Sequence, residues 1–247
     1  MSKNWLFIHI MKTAGTSFRQ FVSESFPNDY YPNKSELQRN PVSGHYLNSR
    51  EFIERMNRSG RMPNRRFYFG HYPYSIVEKL APDFKTASIL REPFARSLSM
   101  IHHRRRSNPE KYKQMSDLDV LHSDHLLGYQ IRNYQTKVLA MPPVGHMEVN
   151  WGNVDENGLL ERATTNLEAL SFLGITERMG EALTYWRTLE PGFERDFPFA
   201  NASPKPLKMS GDLKSALSEN LQLDMQLYKI ANSIVDRQSG IAQKTVR

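Results

Sequence analysis

Trp5-Leu6-Phe7-Ile8-His9-Ile10-Met11-Lys12-Thr13-Ala14-Gly15-Thr16-Ser17 decides the fold. The apolar run at its start stops at Lys12, and Phe18, Phe21 and Val22 then recur at helical spacing, so the stretch reads as strand, turn and helix. The same grammar returns twice. Arg66-Phe67-Tyr68-Phe69-Gly70 precedes a helix over Ser75 to Leu80, and Thr86-Ala87-Ser88-Ile89-Leu90 precedes one from Pro93. A fourth strand fits Ser171 to Ile175, between helices over Leu159 to Leu170 and Glu177 to Leu189. Strands alternating with helices imply parallel pairing, because each crossover returns over the face of the sheet. The pattern predicts one α/β domain over residues 1–247, a P-loop-like central parallel sheet flanked by helices. Its C-terminal part, Asp212 to Asp236, reads as two helices divided near Leu223 or Asp224. Segments Asn28 to Pro41 and Met141 to Asn157 read as long loops.

Composition narrows the ligands without choosing one. The chain has 247 residues, with 33 Lys plus Arg against 26 Asp plus Glu, a formal charge of +7 that favours anions. It has no cysteine, which excludes a disulfide framework and thiolate-bound zinc. The apolar run at Trp5 to Ile10 is too short for a signal peptide and no stretch reaches the length of a membrane span, so a cytoplasmic protein is expected.

Two motifs point to anion chemistry. A strand entering a Gly-containing turn and then a helix offers unpaired backbone N–H groups and a positive helix end to a phosphate, and Lys12 to Ser17 has this layout. It is not a Walker A loop, which needs two glycines with the lysine after them; here Lys12 precedes Gly15. An ordinary capped turn would look the same. The second motif is Leu90-Arg91-Glu92-Pro93-Phe94-Ala95-Arg96-Ser97-Leu98-Ser99. It puts a cation at a strand end, with Pro93 in the first helical turn, and brings Arg91, Arg96 and Ser99 near one face, suited to a second phosphate. A basic, solvated helix face is the plain alternative.

Together the two motifs resemble the carbohydrate sulfotransferases that use 3′-phosphoadenosine 5′-phosphosulfate (PAPS), especially the branch of the heparan sulfate 2-O-sulfotransferases. Weaker likenesses follow in the same order at Phe69-Gly70-His71, Asn133 to Leu139, Gly174 to Arg178 and Asn201-Ala202-Ser203. Met11 stands where that family usually has proline. The resemblance implies transfer of a sulfuryl group to an acceptor hydroxyl, of a carbohydrate or glycolipid, with no metal. Lys12 would stabilise the leaving oxygen, Thr13, Ala14, Gly15, Thr16 and Ser17 would hold the 5′-phosphate, and Arg91, Arg96 and Ser99 the 3′-phosphate. Ser203 and Lys205, with Asn201 and Lys208, would close over the nucleotide.

The attacking hydroxyl needs a base neutral near pH 7, and imidazole meets that demand. His71, at the end of a strand and matching a glycine-histidine pair in that branch, is the candidate; Glu24 is its rival because other branches use glutamate. His9 reads as a packed strand histidine near the site. The run His102 to Arg106 reads as a wet helix face or the rim of an anion site. Trp151, Trp186, Tyr72, Tyr74 and Tyr134 could stack on a flat acceptor, although aromatics at helical spacing are more often core; Tyr72 and Tyr74, beside His71, are the candidates. Two other readings stand beside the sulfotransferase. A P-loop-like nucleotide kinase fits the α/β pattern but lacks the Walker A lysine. A nucleic-acid-binding module fits the charge but shows no recognised module, so no nucleic-acid partner is expected.

Overall fold

The computed structural model describes residues 4–33, 49–58, 64–80, 84–141, 156–193, 195–198 and 209–245. Among these residues five strands form one sheet: β1 (Asn4–Ile8), β2 (Tyr30–Tyr31), β3 (Phe67–Gly70), β4 (Phe84–Leu90) and β5 (Phe172–Ile175). Their order is β2-β3-β1-β4-β5, and every pairing is parallel. Helices α1 (Gly15–Ser25) and α2 (Ser49–Met56) precede a 3₁₀ turn at Tyr74–Lys79. After β4 come α3 (Pro93–Ser107), α4 (Pro109–Tyr112), α5 (Asp117–Ser123), α6 (His125–Ile131) and α7 (Tyr134–Ala140). Then α8 (Leu159–Glu168) leads into β5, followed by α9 (Met179–Leu189), α10 (Gly211–Ser218) and α11 (Gln222–Thr245). No helix among the described residues is long and apolar enough to cross a membrane.

Period-two alternation sends neighbouring residues of each strand to opposite faces, and both faces are covered. This is why the strands read as continuous apolar runs. Trp5, Phe7, Phe69, Ile89 and Phe172 pack under α1 and α9, where the rings of Trp5 and Trp186 lie 4.5 Å apart and those of Phe7 and Phe18 4.9 Å apart. Leu6, Ile8, Tyr68, Leu90 and Ile175 face α7, α8 and α11 through Leu139, Leu167 and Leu227. A third cluster joins α3, α5, α6 and α10 through Leu98, Ile101, Val120, Leu127 and Leu213, and so fixes α3 beside the sheet. At the amino ends of the strands the buried Glu190 accepts from the Trp5 indole at 2.6 Å and pairs with Arg66 and with Lys85, the latter at 3.1 Å. Three strands are thereby tied at the edge opposite the candidate site.

Several boundaries differ from the sequence expectation, each for a local reason. β1 ends at Ile8, and the chain leaves the sheet after His9, so Ile10 and Met11 belong to the loop. The helix expected over Ser75 to Leu80 is the 3₁₀ turn, and β2 lies inside the segment read as a long loop from Asn28. The break between the C-terminal helices falls at the 3₁₀ turn Glu219–Leu221, slightly before Leu223. Here Asn133 reaches across and its side-chain oxygen accepts from Leu223 N (3.0 Å) and Asp224 N (3.3 Å), capping α11 from outside. The service is returned: buried Asp224 accepts from Gln135 N (3.2 Å), Thr136 N (2.8 Å) and the Thr136 hydroxyl (2.8 Å), capping α7.

Asp224 therefore joins two helix starts, and burial raises its pKa while Arg96 opposes that shift. Asp224→Ala should lower unfolding free energy in urea by about 3 kcal/mol, since it strands three buried donors. A loss below about 1 kcal/mol would contradict this role.

Candidate functional site at the carboxyl edge of the sheet

β1 lies between β3 and β4, so the chain's path across the sheet reverses direction there. In open α/β sheets the crevice outside the carboxyl ends at such a point gathers ligands. His9 N donates to Gly70 O at 2.8 Å, and the chain then leaves the sheet as a tight loop. Lys12 (φ 68°) and Ala14 (φ 66°) both adopt the left-handed region, which costs a residue with a Cβ about 1–2 kcal/mol. Such strain persists only where the surroundings enforce it. Here the buried Thr13 hydroxyl donates to Ile10 O at 2.9 Å, Arg91 donates to Lys12 O at 3.3 Å, and Arg96 donates to Met11 O at 3.4 Å. Gly15 opens α1, and its lack of a Cβ has a steric reason: a Cβ there would lie 2.1 Å from the His9 ring. Thr16 is exposed and Ser17 buried in the first helical turn, beside unpaired amides of the kind that hold anions.

The second motif abuts the first. Arg91 follows the last residue of β4, and the Glu92 carboxylate caps α3 by accepting from Phe94 N (3.2 Å) and Ala95 N (2.7 Å). The Arg91 guanidinium that touches the Lys12 carbonyl also lies 3.6 Å from the Glu177 carboxylate. Glu177 is held by Glu92 N and the Tyr228 hydroxyl, both at 3.2 Å. Arg96 departs from its expected place on a phosphate. It is fully buried, its guanidinium donates to Gln130 O (2.6 Å) as well as to Met11 O, and it lies 4.8 Å over the Tyr134 ring. Main-chain oxygens occupy it, so it supports the loop from beneath. Ser99 is partly exposed further along α3.

The basic run on α3 divides by helical register. His102 and Arg105 meet Asp117 at 3.1 and 2.8 Å, and Arg104 meets Asp124 at 2.8 Å. His103 and Arg106 fall on the face of Arg96 and Ser99, within about 80° at 100° per residue. Among the described residues neither has a carboxylate partner, and both act electrostatically on Lys12 or feel it. The Lys12 ammonium titrates below the ordinary lysine value because of burial, then Arg106, then Arg91. Burial, then Lys12, Arg106 and Arg104, lower His103. Lys12 and Arg106, with no carboxylate partner among the described residues, favour an anion at this edge. The sequence leaves the whole run as either a wet face or the rim of an anion site; splitting it at 3.6 residues per turn separates the two faces.

His71 stands at the tip of β3. Its Nδ1 lies 2.7 Å from the His9 carbonyl oxygen, which only accepts, so Nδ1 carries a proton and, in the neutral ring, Nε2 is the basic nitrogen. Its ring stacks on that of His9 at 4.2 Å and 23°. His9 is held neutral: burial foremost, then His71, Arg19 and Lys12, set its pKa well below the usual imidazole value. The His9 ring is thus wedged between Gly15 and His71 and spaces the loop from the candidate base. The rival Glu24 is exposed, accepts from Gln20 at 2.8 Å, and sits about 14 Å along α1 from Gly15. Tyr72 and Tyr74 do not form an open stacking platform. Both are buried, Tyr72 packing on Phe52 at 4.7 Å and filling the space over Gly70. Trp186 and Tyr134 are core residues as well. Trp151, Asn201, Ser203, Lys205 and Lys208 lie outside the described residues. Among the described residues no three His, Asp or Glu side chains gather as metal ligands would.

Two measurements check this geometry. Gly15→Ala must displace the His9 ring or the loop, and should cost about 2 kcal/mol in chemical denaturation; a neutral substitution would contradict the close approach. Arg106→Gln should raise the Lys12 titration toward that of an ordinary lysine, followed by NMR of the methylated amine. An unchanged titration would contradict the convergence of the two cations.

No protein-family model matches the chain, and no curated protein shows significant sequence similarity to it.

Proposed function

We propose that this chain is a PAPS-dependent sulfotransferase with a P-loop-like fold, moving a sulfuryl group to the hydroxyl of a carbohydrate or glycolipid acceptor. One observation carries the reading: the Arg91 guanidinium rests on the Lys12 carbonyl at 3.3 Å, so two cationic strand tips adjoin and one doubly phosphorylated nucleoside can engage both. The amides of Thr13 to Ser17 suit the 5′-phosphate and Arg91 with Ser99 suits the 3′-phosphate. Thr13 would contribute its backbone N–H, since its hydroxyl is engaged with Ile10 O.

In the proposed step the acceptor oxygen attacks sulfur in line, a new S–O bond forms, and the bond from sulfur to the bridging oxygen breaks. The acceptor proton passes to His71 Nε2, the ring nitrogen left with a lone pair by the bond to His9 O. Negative charge grows on the oxygen leaving with adenosine 3′,5′-bisphosphate, where Lys12 and the loop amides oppose it. Donors held in place before reaction lose nothing to reorganisation as that charge appears. The strain at Lys12 and Ala14 fits such preorganisation.

Calorimetry with adenosine 3′,5′-bisphosphate, with ATP and Mg²⁺, and with an oligonucleotide separates this reading from a kinase and from a nucleic-acid binder. Tight binding of the bisphosphate without Mg²⁺ is expected; preference for ATP with Mg²⁺ would overturn the proposal. Lys12→Ala should depress turnover by about 10²-fold or more, with a smaller loss of bisphosphate affinity. His71→Ala should abolish transfer from PAPS yet leave bisphosphate affinity within about threefold, because a proton acceptor contributes to the step more than to binding. An active His71 variant would place the base elsewhere.

A further inference from the structure

The main chain of Arg91 falls between two elements of the fold. It lies past the end of β4 and before the start of α3, where neither element supplies partners for its N–H and C=O. Both are taken by one side chain. The Gln135 carboxamide oxygen accepts from Arg91 N at 2.9 Å and its nitrogen donates to Arg91 O at 3.0 Å, an arrangement that imitates one further rung of sheet pairing. Gln135 is buried.

The side chain starts from an immobile base. Gln135 N donates to Asp224 at 3.2 Å, the next residue is bound twice by the same carboxylate at 2.8 Å, and Asn133 N donates to Asn220 O at 2.8 Å. Asn133 itself takes the left-handed conformation at φ 46°. The adjoining Tyr134 ring underlies Arg96, which supports the loop at Met11. The first turn of α7 thus reaches both halves of the anion site, through Tyr134 and Arg96 to one and through Gln135 to the other. The carboxamide matches both groups at once. Asparagine is one methylene short, an ionised glutamate offers no donor to Arg91 O, and leucine would leave a buried N–H and C=O unmatched.

We propose that Gln135 is a positioning residue. It fixes the main chain of Arg91 so that the guanidinium meets the 3′-phosphate, and it thereby sets the discrimination between 3′-phosphorylated and plain 5′-nucleotides. This rests on the proposed donor, adenosine 3′-phosphate 5′-phosphosulfate, as the ligand of the site.

The test compares adenosine 3′,5′-bisphosphate with adenosine 5′-phosphate by calorimetry in the intact wild-type chain and in Gln135→Leu. In the wild type the bisphosphate should bind far more tightly. In Gln135→Leu the ratio of the two affinities should fall by about tenfold, as expected for the loss of hydrogen bonds that aim a charged group, while 5′-phosphate affinity changes by less than about twofold. A purely structural residue would lower both affinities together and leave the ratio intact; that result in a folded variant overturns the inference. Should Gln135→Leu not fold, Gln135→Met keeps the unbranched length and removes both the donor and the acceptor, and the ratio should fall in it too; a wild-type ratio in Gln135→Met overturns the inference equally. A wild-type chain without preference for the bisphosphate removes the donor reading itself, and is distinguishable because it appears before any substitution is made.

Discussion

Two guanidinium–carbonyl contacts hold the candidate site together. Arg91 and Arg96 come from the segment after β4, yet they donate to the carbonyls of Lys12 and Met11 in the loop after β1. The loop needs this support, since Lys12 and Ala14 stand in a conformation that side chains disfavour. With the carbonyls turned toward the two arginines, the loop amides are left to the start of α1 and to any anion there. The site is therefore a product of neighbouring strands in the order β3-β1-β4 rather than of one local motif. Each tip supplies one part: His71 from β3, the Lys12 loop from β1 and Arg91 from β4.

The distribution of charge follows the same logic. Cations on α3 that face α5 are neutralised by Asp117 and Asp124, which stabilises the helical layer. On the other face Arg106 acts on Lys12, whose pKa is lowered by burial first and then by Arg106 and by Arg91 from the strand tip. Like charges held at close range weaken the folded state until an anion arrives, so ligand binding and stability should be linked. The excess of +7 is thus partly concentrated in one place.

Much of the sheet was legible because both of its faces are buried, so the central strands announce themselves as short apolar runs. The anion loop was legible as a pattern, but its mechanics were not. Gly15 looked like the residue that permits the turn, whereas Lys12 and Ala14 carry the left-handed angles and Gly15 makes room for His9. No sequence rule shows that two distant arginines will brace a strained turn. Arg96 was misplaced for a related reason: register put it near Arg91 and Ser99 but said nothing of depth, and the side chain turns inward to Tyr134. The short helices from Pro109 to Ala140 escaped notice because they are brief and rich in polar residues. Ser116 and Asp119, which form a capping box at α5, were the readable signal. Gln135 lies in the Asn133 to Leu139 likeness and Asp224 at the expected helix division, but their bonding roles could not be read, since their partners lie 44 and 88 residues away in the chain.

The most direct test is a crystal structure of the chain with adenosine 3′,5′-bisphosphate. The account requires one nucleotide to span the two strand tips, its 5′-phosphate on the amides between Thr13 and Ser17 beside Lys12, and its 3′-phosphate on Arg91 and Ser99. A nucleotide held by only one of these groups, or seated away from the carboxyl edge of the sheet, would contradict it.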